Sequence, residues 1–334
     1  MQLNSTLKLN PRLLESDCEK MPIKDGYGVG LLEAGKENST IVVLTADLSK
    51  STKSDLFQKE FPDRFIQVGV AEQNMAGIAA GLALSGKTPF MASYAVFSPG
   101  RNWEQIRVAV CYSNANVKIV SSHSGFTDEG DGATHQALED IALMRVLPNM
   151  TVLVPCDYYE AKKAVKAAVG YSGPVYIRTG REATPVVTTE ETQFEIGKAY
   201  ILKEGSDLTI VACGPLVYEA VKAAKLLSAK EVDCEVINSP TIKPLDEETI
   251  LKSCKKTGKV VTVEEHQITG GLGSAVSELL SGKMPAPLLR VGVNDAFGES
   301  GEYQELLDKF KLSAKSIIIE VEKFFGGNGQ TVKA

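Results

Sequence analysis

The sequence lacks the features that mark membrane-spanning, secreted and disulfide-bonded proteins. No apolar stretch reaches the ~20 residues that a membrane-spanning helix needs, and the N-terminal stretch "MQLNSTLKLNPRLLESDCEK" has no signal-peptide order. The six cysteines form no C-x-x-C pair and mostly lie in apolar runs such as "TIVACGP", where buried thiols are common. These absences predict a soluble, reduced protein of the cytoplasm.

Charge blocks and metal-ligand motifs are also missing. Lys and Arg total 36 against 42 Asp and Glu, a formal charge of -6 without long blocks, which argues against nucleic acid and a membrane surface as partners. Neither H-E-x-x-H nor a Cys/His cluster occurs, so no metal ligands are predicted. The hydrolase motif G-x-S-x-G is absent too. A small anionic substrate would therefore need a local group of cations.

Short β-branched runs alternate with helical patterns, which predicts an α/β fold with mainly parallel sheets covered on both faces. A length of 334 residues suits two domains. We predict a three-layer domain at 20–185, a linker with a short strand pattern at 186–205, and a smaller three-layer domain at 206–325. The strands predicted for the first domain are 40–46, 64–70, 89–94, 117–122, 151–155 and 174–178.

Polar side chains follow these strands at their carboxyl ends, where ligands bind in open parallel sheets. Asp47 and Ser51 follow the first strand, Glu72 the second and His123 the fourth, while Arg178 ends the sixth. We therefore expect a carboxylate, an imidazole and a guanidinium to converge on one edge of the sheet. Such a group suits an anionic ligand.

A glycine-rich stretch, "HSGFTDEGDGATHQ", begins at His123 and includes Asp131 and His135. Glycines allow a backbone to fold closely around a ligand. A single loop histidine is more often a surface or backbone-capping residue. Two histidines beside a carboxylate keep a ligand site open as the second interpretation.

Glu72 and a pair of aromatic residues each have two interpretations. Glu72 lies between a strand pattern and a small-residue helix pattern in "QVGVAEQNMAGIAAGLAL", where a carboxylate complements the helix dipole by ~0.3–1 kcal/mol. Alternatively, its apolar neighbours desolvate a carboxylate that shares a proton with a ligand. Tyr94 and Phe97 are three residues apart and would form either core packing or a flat wall for a ligand.

Several stretches together resemble the C-terminal portion of a transketolase, a thiamine-diphosphate enzyme. They occur in the family's order over most of residues 20–320: "ADLSKSTKSD", "VGVAEQNMAGIAAGLAL", "SYAVFSPGRNWEQIR", "GDGATHQALEDIALMR", "PNMTVLVPCD" and "EEHQITGGLGSAV". The resemblance implies a pyrimidine-binding domain with the thiamine-diphosphate-binding fold, followed by the family's C-terminal domain.

The resemblance also implies a role for each residue at the sheet edge. Glu72 matches the catalytic glutamate that hydrogen-bonds the aminopyrimidine ring of thiamine diphosphate. Tyr94 and Phe97 match aromatic residues that pack against this ring, and Asp47 matches a position near the thiazolium. The sugar-contacting and phosphate-binding positions of the family correspond to His123, Asp131 and His135 and to Ser51 and Arg178, respectively.

Three positions depart from the family's pattern. Lys24 stands where an Arg is common, Gly100 replaces an aromatic residue and Ala133 replaces a Pro. The resemblance further implies that Mg²⁺ and the diphosphate are held by another chain, because the "GDG" at 130–132 belongs to the sugar-contacting stretch. We therefore expect the second subunit of a split transketolase, self-dimerising within a heterotetramer that contains an N-terminal, diphosphate-binding subunit.

The implied reaction moves a two-carbon ketol unit from a ketose phosphate to an aldose phosphate, as in the pentose phosphate pathway. His123 and His135 would act on sugar hydroxyls. One alternative is the β subunit of a thiamine-dependent 2-oxoacid dehydrogenase, against which "GDGATHQ" argues. The others are a deoxyxylulose-phosphate synthase-like enzyme and a non-catalytic orphan half.

Overall fold

This computed structural model describes residues 1–326. The larger of its two main sheets forms the centre of the predicted first domain. Its seven strands are β2 (Ile41–Thr45), β3 (Phe65–Gln67), β4 (Thr88–Tyr94), β5 (Lys118–Ser122), β6 (Thr151–Leu153), β7 (Val175–Arg178) and β12 (Thr241–Lys243). Their order is β12-β6-β7-β5-β4-β2-β3, and only the β12–β6 pair is antiparallel. A separate antiparallel ribbon joins β1 (Lys20–Pro22) to β8 (Ala183–Pro185).

Helices cover both faces of the larger sheet. In β2, Ile41 and Val43 pack into one core with Tyr27, whereas Val42 and Leu44 pack into another with Met75. This alternation follows from the two-residue period of a strand. The helices are α1 (Ile23–Glu37), α2 (Asp55–Glu60), α3 (Glu72–Leu84), α4 (Trp103–Gln105), α5 (Asp140–Arg145) and α6 (Tyr158–Gly170), with a π-helix at Ile106–Tyr112 after α4.

The second sheet has five strands in the order β14-β13-β10-β11-β9, with only the β11–β9 pair antiparallel. The α/β prediction with two mainly parallel sheets is therefore confirmed. The strands are β9 (Tyr200–Lys203), β10 (Leu208–Ala212), β11 (Cys234–Asn238), β13 (Val260–Gln267) and β14 (Leu288–Val293). The helices are α7 (Leu216–Ser228), α8 (Glu247–Thr257), α9 (Leu272–Lys283), α10 (Tyr303–Lys309) and α11 (Ala314–Gly326).

Segments outside the two predicted domains, and one strand of the second, join the two halves of the chain. The short strand pattern in the predicted linker forms β9, which pairs with β11 of the second sheet. The strand β12 leaves the second half of the chain to pair with β6 in the first sheet. Leu13, near the N-terminus, is fully buried in the second core. The two halves are thus tied together by main-chain pairing as well as by side chains.

The segment before α3 is shorter as a strand than its apolar pattern predicts. The strand β3 ends at Gln67, and the chain turns at Gly69, whose φ is +71°. Glycine adopts this left-handed conformation without the steric cost of a Cβ. The turn delivers Glu72 to the first position of α3, at the carboxyl edge of the sheet.

No helix within residues 1–326 combines the length and apolar character needed to cross a membrane. All six cysteines are free and buried.

Candidate active site

The carboxyl ends of the parallel strands bring aromatic and histidine side chains together. The ring of Tyr94 stacks on that of His123 with centroids 3.8 Å apart, and on that of Phe97 with centroids 5.9 Å apart. The guanidinium of Arg101 lies over the Phe97 ring, 4.5 Å from its centroid. His135 meets both aromatic rings edge-on. We call the four planar groups of His123, Tyr94, Phe97 and Arg101 the planar column.

Glu72 is joined to this column through Arg101. Its side chain is almost fully buried, and its Oε2 accepts a hydrogen bond from Arg101 Nη1 at 2.7 Å. The carbonyl oxygen of Glu72 accepts another from Asn102 Nδ2 at 3.1 Å. The first turn of α3 and the segment that carries Arg101 are therefore held against each other. A carboxylate, a flat aromatic face and two imidazoles lie along one edge.

His123 is a neutral imidazole in this setting. Burial, together with the charges of Lys24, Arg181 and His135, lowers the pKa of His123 to about 3. Its Nδ1 lies 2.8 Å from Ser122 Oγ. Its backbone has a φ of +56°, an uncommon conformation for a residue with a Cβ. Strained conformations of this kind concentrate at functional sites.

The stretch 123–136, which we call the histidine loop, holds two carboxylates near an arginine that the sequence did not single out. Arg181 Nη1 lies 2.9 Å from Asp128 Oδ1 and 3.7 Å from Asp131 Oδ2. Burial raises the pKa of Asp128, and the hydrogen bond from Arg181 opposes that rise. Asp131 remains exposed. Arg181 is thus a partly exposed cation beside the predicted sugar-contacting residues.

Lys24 lies close enough to Arg181 for the two charges to interact. Its ammonium has no hydrogen-bond or ion-pair partner within residues 1–326, and its side chain is partly buried. Burial lowers the pKa of Lys24; the charge of Asp25 opposes this effect, and the charges of Lys53 and Arg181 add to it. An unpaired, half-buried ammonium next to a second cation suits an anionic ligand. Lys24 and Arg181 are therefore the candidates for the local group of cations that a small anionic substrate would need.

The structure places Arg178 at the end of β7 but buries its side chain, and its predicted contact with a substrate phosphate stays a prediction. Its guanidinium is buried, with Nε 2.8 Å from Asp140 Oδ2. Its Nη2 donates to the carbonyl oxygens of Ala137 and Glu265 at 3.2 and 3.0 Å. Burial alone would lower the pKa of Arg178, but Asp140 and Glu265 outweigh it and raise the pKa. Arg178 ties the segment directly after the histidine loop to the second domain.

Asp47 and Ser51 lie on the turn between β2 and α2. Asp47 is exposed with a φ of +65°, and its backbone N–H donates to Gln67 Oε1 at 2.7 Å. This bond connects the ends of β2 and β3. Ser51 is half-buried in the following turn. The structure places both beside the edge, and their contacts with a cofactor and a substrate stay predictions.

Residues of the second domain hold the histidine loop in place through hydrogen bonds. Gln136 Nε2 donates to the carbonyl oxygen of Glu299 at 2.9 Å, and Tyr303 N donates to Glu129 Oε2 at 2.6 Å. A Cβ at Gly132 would press against Ser300, so the loop and this segment approach closely. Sequence reasoning missed this support because nothing in a local pattern links positions so far apart.

Two of the three departures from the family's pattern can be placed as well. At Gly100, a Cβ would collide with the carbonyl oxygen of Val96. The tight turn excludes any side chain there, and the neighbouring Arg101 supplies the planar group that covers Phe97. Ala133 lies exposed on the histidine loop. Within residues 1–326, no group of three or more His, Cys, Asp and Glu side chains is arranged to hold a metal ion.

The fold and this edge define a two-domain α/β protein whose larger sheet ends in stacked rings, two histidines and a cation group. Comparison with known families gives the particular assignment. Residues 19–186 match the transketolase pyrimidine-binding domain, and residues 197–317 match the transketolase C-terminal domain. The chain belongs to the transketolase family, which confirms the resemblance read from its motifs. These two domains imply dependence on thiamine diphosphate.

Similar proteins include subunits of split enzymes. The transketolase C-terminal section of Methanocaldococcus jannaschii is 50% identical over 298 residues, which cover 88% of this chain and 93% of that protein. The 6-deoxy-6-sulfo-D-fructose transketolase subunit of Clostridium sp. (strain MSTE9) is 44% identical, covering 91% of this chain and 94% of that protein. A solved structure described as a split gene transketolase, inactive beta4 tetramer, is 48% identical with a TM-score of 0.84, covering 91% of this chain and 98% of that chain. The chain is a split-type subunit of this family.

Proposed function

We propose that this chain is the pyrimidine-binding subunit of a split transketolase, which moves a two-carbon ketol unit from a ketose phosphate to an aldose phosphate. The observation that carries the proposal is the planar column, which runs from His123 to the pair of Arg101 with Glu72. It connects a ring-stacking face and a buried carboxylate to two histidines. An anion-binding pair of cations adjoins the histidine end.

The residues at the Glu72 end fit an aminopyrimidine ring. A planar heteroaromatic ring needs a flat apolar face and a hydrogen-bond partner at its edge. Phe97 offers the face and Glu72 the partner, and one planar N–H donor, the guanidinium of Arg101, already contacts both. When bound, thiamine diphosphate supplies the electron sink that permits cleavage of a carbon–carbon bond beside a ketone. Glu72 would hold a proton at the pyrimidine ring nitrogen.

The polar residues around the column would bind and orient the sugar. With its pKa lowered to about 3, His123 is neutral at physiological pH and exchanges hydrogen bonds with hydroxyl groups rather than offering a positive charge. His135 and Asp131 lie on the same loop with accessible side chains. Together they would fix the hydroxyl groups next to the reacting carbon and favour polyhydroxylated substrates such as sugars.

Lys24 and Arg181 would bind the terminal phosphate in place of Arg178. An arginine offers a fork of N–H donors to phosphate oxygens, and a lysine adds a point charge. A sulfonate has a similar anionic form, and one relative is named for a sulfo-sugar. We assign a pentose phosphate donor to this chain, and the comparison of phosphate with sulfonate sugars tests that choice.

The remaining parts of the proposal concern assembly and location. Mg²⁺ and the diphosphate would be held by an N-terminal, diphosphate-binding subunit, with two copies of each chain in a heterotetramer. A relative is described as an inactive beta4 tetramer, so this chain alone is expected to be inactive. The six free, buried cysteines suit the reducing cytoplasm.

The test is a transketolase assay of the assembled pair with xylulose 5-phosphate, ribose 5-phosphate, thiamine diphosphate and Mg²⁺. We expect turnover by the pair and none by this chain alone. Glu72→Gln should lower kcat by about 10²- to 10⁴-fold, because it removes the proton-sharing group. Glu104→Gln is the matched control, since Glu104 is exposed on a nearby segment. Full activity of Glu72→Gln would contradict the proposal.

Substrate arms of the same assay separate the other activities. Turnover of 6-deoxy-6-sulfo-D-fructose in preference to xylulose 5-phosphate would keep the transferase and change the donor. Turnover of pyruvate with glyceraldehyde 3-phosphate would indicate a deoxyxylulose-phosphate synthase-like enzyme. Oxidative decarboxylation of a 2-oxoacid would indicate a dehydrogenase subunit. No turnover by any correctly assembled pair would favour the remaining alternative, in which this chain is a non-catalytic orphan half.

A further inference from the structure

Arg101 makes both of the contacts that the proposed function assigns to the cofactor's aminopyrimidine ring. Its flat guanidinium covers Phe97 at 4.5 Å from the ring centroid. Its Nη1 donates to Glu72 Oε2 at 2.7 Å. A delocalised, planar N–H donor that stacks on an aromatic ring and bonds a carboxylate reproduces the recognition pattern of an aminopyrimidine edge. The guanidinium and the ring therefore compete for one place.

The backbone at Arg101 is fixed, so only its side chain can leave. Arg101 N donates to the carbonyl oxygen of Phe97 at 3.0 Å, and the carbonyl oxygen of Arg101 accepts from Gln73 Nε2 at 3.4 Å. The turn before it is too tight for a side chain at Gly100. The Arg101 side chain keeps 47% of its surface exposed. It can rotate into solvent without unfolding any element.

The contact of the Arg101 guanidinium with Phe97 and Glu72 is strong enough to form in the free chain and weak enough for a ligand to displace it. The ion pair and the cation–π contact that a half-exposed guanidinium makes are each modest in water. Glu72, by contrast, is almost fully buried, so any hydrogen-bond partner that replaces its lost hydration stabilises its carboxylate. In the absence of a ring, the guanidinium is that partner.

We propose that Arg101 is a built-in plug of the pyrimidine site, which occupies Phe97 and Glu72 until the cofactor ring displaces it. The inference rests on the proposed function, because it takes Phe97 and Glu72 as the ring's partners. The plug keeps the buried carboxylate paired in the free chain. It also lowers the apparent affinity for the cofactor in proportion to the time it spends closed.

The first experiment measures the affinity of the assembled pair for thiamine diphosphate in the presence of Mg²⁺ by isothermal titration calorimetry. Arg101→Gln should bind about tenfold more tightly than the wild type, a change of about 1.4 kcal/mol. Arg101→Lys, which keeps the charge without the planar fork, should lie between them. Arg107→Gln is the matched control, since Arg107 is exposed six positions further along, and its affinity should equal that of the wild type. Unchanged or weaker binding by Arg101→Gln would overturn the plug.

A double-mutant cycle separates the plug from the proposed function. If Arg101 acts through Glu72, the gain from Arg101→Gln should shrink at least threefold in a Glu72→Gln background. Wild-type binding that Glu72→Gln weakens, together with no gain from Arg101→Gln, would overturn the plug and leave the proposed function standing. No binding by the wild type or by Arg101→Gln would overturn both. Binding by Arg101→Gln alone would support both.

A readout independent of affinity completes the test. In the free chain, the Arg101 Nε–H signal in nitrogen-15 NMR should show the slow side-chain rotation of a paired guanidinium. Glu72→Gln should abolish that slow rotation. A freely rotating Arg101 in the wild-type free chain would contradict the plug.

Discussion

Two arginine–carboxylate pairs of nearly equal length differ chiefly in how far the arginine side chain is buried. The Arg101–Glu72 pair measures 2.7 Å and the Arg178–Asp140 pair 2.8 Å. The Arg101 side chain keeps 47% of its surface exposed, whereas that of Arg178 keeps 4%. Each lies near the carboxyl edge of the larger sheet. The same chemical contact therefore serves two different purposes within one region.

Burial decides which purpose each pair serves. A charge that is taken fully out of water must stay paired, because removal of its partner leaves an uncompensated ion. A guanidinium that remains half in water can give up its partner at small cost. Arg178 also donates to the carbonyl oxygens of Ala137, directly after the histidine loop, and of Glu265 in the second domain. It acts as a structural tie, while Arg101 remains movable.

The largest predicted effect separates these pairs by stability. Arg178→Met should lower the free energy of unfolding by about 3–5 kcal/mol, since Asp140 would remain buried without its cation. Arg101→Met should lower it by a smaller amount, because the half-exposed position of its guanidinium lets water reach the Glu72 carboxylate once the guanidinium is gone. Urea unfolding of the free chain, followed by circular dichroism, measures both changes.

Arg178→Lys is the conservative control, since it keeps the charge but not the fork of donors. We expect an intermediate loss. Equal losses for the two Met variants would show that burial does not distinguish the pairs, and the structural role of Arg178 would be rejected.

The sheet edge was predictable from the sequence because each part of it has a local signal. β-branched runs mark the parallel strands, and the residue after each run falls at the carboxyl edge. His123 directly follows its run and meets Tyr94, the last residue of another. For Phe97 and His135 the sequence left core packing and a surface position open as alternatives. The neutral state of His123 was not predictable, because it depends on burial and on charges brought close by the fold.

The two arginines of "IRTGRE" show where local reasoning ends. Arg178 is the last residue of β7, so its side chain still follows the strand's alternation and is buried beneath the histidine loop. Arg181 lies beyond the strand and reaches the loop's carboxylates. Two arginines only three positions apart in sequence therefore differ in burial and in partners. The Arg101–Glu72 contact spans 29 positions and leaves no local signal.

A smaller effect tests Arg181 against Arg178 in substrate binding. Arg181→Met should raise the KM for phosphorylated sugars by about 10- to 100-fold with a lesser effect on kcat, because hydrogen bonds to charged groups contribute about 1.5–3 kcal/mol. Steady-state kinetics of the assembled pair with ribose 5-phosphate measure the change. The same variant assayed with unphosphorylated ribose should show little change in KM.

Two variants guard against an indirect effect through Asp128. Arg181→Lys should recover part of the affinity, because it restores a charge beside the buried carboxylate. Arg107→Met should leave the KM unchanged. An equal rise in KM for ribose and for ribose 5-phosphate would assign Arg181 to loop structure instead of phosphate binding.

The smallest effect tests whether His123 is neutral because of burial. The folded-state pKa of about 3 lies below the ordinary value of 6.5, so the unfolded chain binds the proton first as the pH falls. Stability should therefore decline as the pH drops below 6.5, by about 1.4 kcal/mol at pH 5.5 for this group. His123→Asn should remove that contribution, so its unfolding free energy falls less between pH 7 and 5.5. His135→Asn keeps His123 and should retain the wild-type decline from that residue. If His123→Asn and the wild type decline in parallel, the imidazole is hydrated, and the contrast between buried and movable groups at this edge does not extend to His123.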